Sequence, residues 1–384
     1  MKFTVAGGNE GAVITVENQK NENGILFAEV KLTLEKEAVP KSFSVMWKFP
    51  VVDCYSTWSP SFKHLRNIEP TWRPNVTSSR LAVSMPLQSI VSVKGRNRIT
   101  ISLSDALNPS DISTGACEED ACIDCKVTFF TVPVAPLKEY SCRIRIDMRD
   151  IPYYDSIYDN TAWWENECGY KPAYVPEHAL LPMNSLWYSY HQKLDVDDII
   201  KECALSKPLG MDTVIVDDGW QTDDNSRGYS YCGDWEIATS KIPDIKKFID
   251  GIHETGMKVM FWFSVPFVGI HAKNYERFKD MLLDGTGNNK TVWCLDPRYK
   301  EVRNFIVQTY VNAMKNWNLD GLKLDFIDNF TLKGKSLEYD ERRDYQALED
   351  ALDVLMTDIS GALREINPEA LIEFRQAYVG PAIS

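Results

Sequence analysis

Between about Gly11 and Met148 apolar and polar residues alternate in short runs, among them ILFAEVKLTL, RITISL, KVTFFTV and CRIRIDM, with Pro, Gly, Asn and Ser between them. A period of two puts successive side chains on opposite faces of a strand, so residues 1–150 are expected to form an N-terminal antiparallel β-sandwich. Residues 151–182 are a connector rich in Pro, Tyr and Trp, including WWENECGYKPAYVP. It is too aromatic for a flexible spacer and is expected to pack between domains. After Pro182 the rhythm becomes strand, helix, strand. NSLWYSY, DTVIVDDGW, KVMFWFSV, GLKLDF and ALIEFR read as strands. DVDDIIKECALSKPLG, IPDIKKFIDGIHETG, KNYERFKDMLLDG and YKEVRNFIVQTYVNAMKNWN read as helices, as does the segment from about Tyr345 to Ile366. Gly256 is a stop signal for the second helix, and Asn367 with Pro368 for the last.

Apolar strands alternating with helices predict a parallel sheet, either doubly wound or closed into a (β/α)8 TIM-type barrel. The strand tips favour the barrel, because nearly all end in aromatic or charged residues: Trp187 with Tyr188, Asp217 and Asp218 with Trp220, Trp262, Lys323 with Asp325, and Arg375 with Gln376. No glycine loop of the phosphate-binding kind follows any strand, which disfavours a nucleotide-binding doubly wound fold. Residues 183–384 supply only five strands of the eight a barrel closes with. An open apolar edge would invite aggregation, so the barrel is expected to be cut short.

Charge narrows the partners. The chain has 384 residues, 44% hydrophobic and 25% charged, with a net charge of −13. Such a surface repels nucleic acid backbones and anionic membranes, leaving a neutral substrate as the better fit. The N-terminus MKFTVAGGNEGAV lacks the apolar segment of a secretory signal, and no stretch of about 18 apolar residues occurs, so a cytoplasmic location is expected. Homo-oligomerisation is left open. Nine scattered cysteines point to reduced thiols. Cys117, Cys122 and Cys125 in ACEEDACIDC could begin a zinc site, but no fourth ligand stands at zinc-like spacing, so an ordinary loop is the better reading and no metal or cofactor is expected.

Three aspartates cluster around GLKLDFIDNF. In LKLDF, Lys323 and Asp325 share one strand face and Leu322, Leu324 and Phe326 the other, so the apolar set is expected against helices and the polar pair inside the barrel. Asp320 precedes the strand, at the structural end, and Asp328 lies beyond it. Lys323 beside Asp325 would keep that carboxylate ionised, as a nucleophile requires. A charged pair closing a strand for structural reasons is the plainer alternative. Asp217 and Asp218 end another strand on a turn, where adjacent acids can hold metal or accept hydrogen bonds from sugar hydroxyls; with five histidines and none spaced as a ligand pair, sugar is favoured. Trp187, Trp220, Trp235 and Trp262 each suit a core, but as a set near one mouth they would offer flat faces to a sugar.

The motifs NSLWYSY, VDDGW, GDW (Gly233 to Trp235), KIPDIKKFIDGIHETGMKVMFWF and KLDF occur in the order found in the catalytic barrel of glycoside hydrolase family 36, the α-galactosidase or melibiase-like group, which the chain resembles over roughly Asn184 to Phe374. The resemblance implies a retaining α-glycosidase with Asp325 as nucleophile and Lys323 touching the sugar. It further implies Asp217 and Asp218 as the pair on the O4 and O6 hydroxyls of galactose, with Trp187 and Trp262 as pocket walls and no cofactor. The N-terminal half resembles the family's sandwich, which often lends an aromatic to the site; Trp58 and Trp72 are candidates. Two departures stand out. Arg375 occupies the place of a family cysteine, where its guanidinium fork would add donors toward the substrate. No Asp follows Asp358, so the acid/base residue is expected beyond Ser384. Rivals are an α-galactosyl transferase of the raffinose or stachyose synthase kind, an α-N-acetylgalactosaminidase, and a non-catalytic carbohydrate-binding protein.

Overall fold

The period-two runs of the first half become strands. In a computed structural model, residues 1–61, 64–286, 291–332 and 338–374 are described, and they fall into two compact units, Met1–Ala173 and Tyr174–Gln376. Arg375 and Gln376 lie outside the described residues. The first unit holds β1 (Thr4–Gly7), β2 (Val13–Glu22), β3 (Ile25–Ala38), β4 (Phe43–Pro50), β5 (Ser56–Trp58), β6 (Arg66–Asn67), β7 (Asn75–Ser79), β8 (Leu87–Val91), β9 (Asn97–Leu103), β10 (Ser110–Cys117), β11 (Cys122–Phe129) and β12 (Leu137–Asp147). They form two antiparallel sheets, ordered β1-β4-β11-β10-β7 and β2-β3-β12-β9-β8-β5-β6. Alternate residues point inward: Leu26, Val30 and Leu32 of β3, Ile144 and Ile146 of β12, and Val45, Ile112 and Val127 of the other sheet share one buried cluster.

Of the connector 151–182, the residues up to Ala173 group with this first unit and those from Tyr174 with the second. Tyr153–Glu167 is helix α1, whose Trp163 and Trp164 pack on Met85 and Leu87, and Trp164 Nε1 donates to the Leu103 carbonyl at 2.8 Å. The zinc-like cysteine spacing resolves into a hairpin end. Cys117 and Cys122 face each other across β10 and β11, while Cys125, an odd number of residues on, turns to the opposite face and is buried in the core.

The second unit continues with β13 (Met183–Ser185), α2 (Val196–Ser206), β14 (Thr213–Val216), α3 (Ile245–Glu254), β15 (Lys258–Ser264), β16 (Phe267–Gly269), α4 (Lys273–Phe278), β17 (Leu282–Thr286), β18 (Val292–Leu295), α5 (Lys300–Trp317), β19 (Gly321–Asp325), α6 (Leu348–Ile366) and β20 (Leu371–Phe374). Five strands make one parallel sheet in the order β13-β14-β15-β19-β20. Local signals set its helices. Asp195 and Asp244 cap α2 and α3 by accepting the amides of Asp198 and Lys247, and Gly256 adopts φ +83° just past α3. On α6, Leu348, Leu352, Leu355, Ile359 and Leu363 recur every three or four residues and are buried.

Two expected elements end early. NSLWYSY pairs only to Ser185, because its partner β14 has four residues and the register reaches Ser185 opposite Ile215; Leu186–Tyr188 then coil into a 3₁₀ turn. KNYERFKDMLLDG is helical only to Phe278, and Leu282–Thr286 instead pairs antiparallel with β18, a four-residue strand too short for periodicity to reveal. Among the described residues no helix is long and apolar enough to cross a membrane. Gly321 lets β19 meet β20 closely: a Cβ there would lie 2.0 Å from the Leu371 carbonyl oxygen. Gly321→Ala is expected to cost roughly 1–3 kcal/mol through forced strand separation, visible as a lower thermal midpoint.

Candidate active site

Parallel strands all deliver their C-terminal ends to one edge, where Asp217 and Asp218 follow β14 and Asp325 ends β19. Register puts Ser264 of β15 opposite Asp325 of β19 and Trp262 opposite Lys323. All of Gly321–Asp325 is buried, with Asp325 at the strand tip, and Phe326, expected to continue the apolar face of Leu322 and Leu324, instead leaves the strand. Asp320 sits at the opposite end, where His253 Nε2 (2.8 Å), Lys258 Nζ (3.2 Å) and the Val259 amide (2.9 Å) engage its carboxylate, a structural clamp. Asp328 lies in the turn Ile327–Asn329.

Among its partners, Asp325 has two hydrogen-bond donors that orient the carboxylate. Trp262 Nε1 donates to Oδ2 at 2.9 Å, and the Phe326 amide donates to Oδ1 at 2.8 Å. The second bond depends on an unusual backbone, since Phe326 has φ +65°, a conformation that a bulky residue adopts only when its surroundings enforce it. Its ring is enforced by Phe267 at 4.8 Å and Tyr229 at 5.1 Å.

Lys323 was expected to serve Asp325, yet its ammonium goes to the neighbouring acid pair. It crosses β15 and donates to Asp217 Oδ2 at 2.5 Å, joined there by the Ser185 hydroxyl at 3.3 Å. Asp217 Oδ1 accepts the amide of Asp218 at 2.9 Å. Asp218, 2% exposed, is held by two amides, Gln192 Nε2 on Oδ2 and Gln221 Nε2 on Oδ1, both at 2.7 Å. Burial pushes its carboxyl up to about 6; the two amides and Lys241 oppose that rise, and the negative charge of Asp217 adds to it.

The tryptophans divide. Trp220 is fully buried, donates from Nε1 to the Trp262 carbonyl at 2.8 Å, and is ringed by Phe261, Phe263 and Trp317. Trp235 packs on Trp220 and Phe263 and is 9% exposed. These two belong to an aromatic core beneath the edge, so they offer no open face to a ligand. Trp262 is equally buried; its contribution is the indole N–H on Asp325, with Tyr229 stacked on its ring at 6.1 Å. Only Trp187 is half-exposed, edge-on to His191 at 5.0 Å, with the Arg227 guanidinium 5.9 Å from its ring centroid. Gln192, Gln221, Tyr229 and Lys241 were missed from the sequence. Gln221, directly behind DDGW, carried a readable signal as a polar residue on a site turn; the others come from loops whose approach no spacing announces.

The edge therefore gathers three buried carboxylates, one ammonium and several fixed amide donors. Carboxylates and amides of this kind suit hydrogen bonding to a neutral, hydroxyl-rich molecule. Among the described residues no group of His, Cys, Asp and Glu is arranged to hold a metal ion.

The melibiase family model matches residues 175–373, more than half of the chain, and the chain belongs to that family. Among curated relatives, α-galactosidase Mel36A of Lactobacillus acidophilus is 30% identical over 147 residues, 36% of this chain and 20% of that protein. α-Galactosidase AgaA of Geobacillus stearothermophilus is 24% identical over 166 residues, 41% of this chain and 22% of that protein. Among solved structures, the α-galactosidase of Thermus thermophilus in complex with stachyose gives a TM-score of 0.62 at 15% identity, covering 97% of this chain and 74% of that one. The family 36 enzyme AgaA of G. stearothermophilus, also with stachyose, gives 0.60 at 14% identity, covering 100% and 61%. These structural likenesses are likenesses of fold. The chain spans about a fifth of the curated relatives and under three quarters of the solved ones.

Proposed function

We propose that this chain carries the catalytic edge of a retaining α-galactosidase that hydrolyses terminal α-galactosides by double displacement. The observation that carries the reading is Asp325 at the tip of β19, oriented by Trp262 and the Phe326 amide within the stretch matched to the melibiase family. Asp325 attacks the anomeric carbon while the glycosidic C–O bond breaks, giving a glycosyl-enzyme that water then opens. A second carboxyl, about 5 to 5.5 Å away in retaining enzymes, gives its proton to the leaving oxygen and takes one from the water. Asp217 and Asp218 are engaged by Lys323, Ser185 and two glutamine amides, which suits acceptors for sugar hydroxyls rather than a proton shuttle; we assign the acid/base role to none of the described carboxylates. Lys323 is placed to donate to a hydroxyl that Asp217 accepts from, and of Trp187, Trp220, Trp235 and Trp262 it is Trp187 that is half-exposed and available as a wall. A neutral α-linked oligosaccharide fits this set, and the stachyose bound by two solved relatives supports it.

The test is a panel of aryl α-glycosides on the full-length protein, with sugar acceptors added in parallel. Preferential release from the α-galactoside into water is expected. Turnover confined to another glycoside would overturn the reading, and transfer of galactose to the added sugar would convert it to a galactosyl transferase. Binding is also expected to follow Asp218. As pH falls through about 6 its carboxyl becomes neutral and loses acceptor strength, so galactoside affinity measured by calorimetry should weaken between pH 7.5 and 5. Fold stability moves the opposite way: the folded value lies above the ordinary 3.8, the folded state binds the extra proton, and stability rises as pH falls from about 6 toward 4. Affinity flat across that range would remove Asp218 from the sugar contacts.

A further inference from the structure

Lys241 lies on the segment entering α3 and touches none of the reactive groups. Half-buried, it is held below the usual lysine range by burial, and its ammonium spends all three hydrogens on protein acceptors: the Gln192 carbonyl at 2.8 Å, the Gly219 carbonyl at 2.8 Å and Asn225 Oδ1 at 2.9 Å. The two carbonyls belong to residues packed closely on each other. Gly219 has φ +118°, and a Cβ on it would lie 2.6 Å from Gln192 Cα. Two carbonyl dipoles brought together in this way repel, and one cation between them turns the repulsion into attraction.

What Lys241 fixes, Gln192 passes on in two directions. Its Nε2 holds Asp218, and its Oε1 accepts the Arg227 amide at 2.7 Å. That amide belongs to a residue at φ +64°, whose guanidinium lies over Trp187. Asn225, the third acceptor, sits two residues before Arg227 on the same loop. We propose that Lys241 is a positioning residue of this site, a single ammonium that sets Asp218 through Gln192 and Gly219 and sets the Arg227–Trp187 wall through Gln192 and Asn225. A tetrahedral ammonium with three donors meets this arrangement of acceptors, and a planar guanidinium does not, so arginine would keep the charge and lose the geometry.

The sugar-binding arm of the test rests on the α-galactosidase reading; the positioning of Asp218 does not. The charged and titratable groups around Asp218 are Asp217 on the same turn, Lys241, the Cys232 thiol, and Lys323 across the pair with Asp217. Wild type, Lys241→Met and Lys241→Arg are followed by 13C titration of the Asp218 carboxyl, assigned by its loss in Asp218→Asn, and by calorimetric titration with stachyose, with melting curves as a folding control. Asp218 is expected to titrate roughly half a pH unit or more higher in Lys241→Met, from loss of charge and of the Gln192 donor together. A smaller rise in the same direction is expected in Lys241→Arg, and stachyose affinity should drop about tenfold or more in both. Variants that melt lower but keep the wild-type titration and affinity would show a merely structural lysine and overturn the proposal. Should wild type bind no stachyose, the α-galactosidase reading falls, and the Asp218 titration alone decides for or against Lys241.

Discussion

Asp325→Asn in the full-length protein is expected to lower turnover of an aryl α-galactoside by several orders of magnitude while sugar binding survives. Asparagine keeps the shape of the side chain and one carbonyl oxygen for the Trp262 indole, so the site retains its form. It removes the negative oxygen that would bond to the anomeric carbon, and an amide is a poor substitute for that attack. A loss confined to turnover, with calorimetric affinity for galactosides within a few-fold of wild type, is the signature of a group that acts in the transition state. Near-normal turnover would sink Asp325 as the nucleophile.

Lys323→Met should damage stability as well as binding. The Lys323–Asp217 pair is almost completely buried, at 8% and 3% exposure, and removing the cation strands a carboxylate in a poorly solvated place. Breaking a pair of this kind typically costs about 3–5 kcal/mol. Denaturant unfolding of Lys323→Met should report a loss of that size. The double variant Asp217→Asn with Lys323→Met should regain most of it, because no unpaired charge remains. A double variant no more stable than the single one would mean that the lysine matters through packing alone. In the single variant the proposed sugar site also loses a donor, so galactoside affinity is expected to fall even at temperatures where the protein stays folded.

Some of this was legible in the sequence because it depends on local periodicity. Strand parity in LKLDF separates Lys323 and Asp325 from Leu322 and Leu324 with no knowledge of the rest of the chain, and helix caps such as Asp195 and Gly256 act within one turn. Lys323 could be put on the right face but not with the right partner: its bond to Asp217 spans 106 positions, and only the order β14-β15-β19 creates it. The tryptophans were ambiguous for a different reason. An indole at a strand tip satisfies either a core or a binding wall, and the distinction rests on what covers it, which for Trp220 is Phe261, Phe263 and Trp317 from β15 and α5. α1 was hidden by composition, since its tyrosines and tryptophans are poor helix formers that packing on β8 and β9 overrides. Gln192 and Lys241 gave no signal at all, because a polar residue in a loop acquires meaning only from the carbonyls and carboxylates folded against it.

The bond from the Trp262 indole to Asp325 has an optical consequence. Indole emission responds to charge near its N–H, so Trp262 is placed to report the charge of Asp325. Under the proposed double displacement, conversion of the Asp325 carboxylate to a neutral ester would remove the negative charge of the group whose Oδ2 lies 2.9 Å from Nε1. The Trp235 ring centroid lies 6.0 Å from that of Trp262 and 6.0 Å from that of Trp220. Stopped-flow fluorescence is therefore expected to follow formation and decay of the proposed covalent intermediate with natural, uncoloured oligosaccharides and no label attached to either partner.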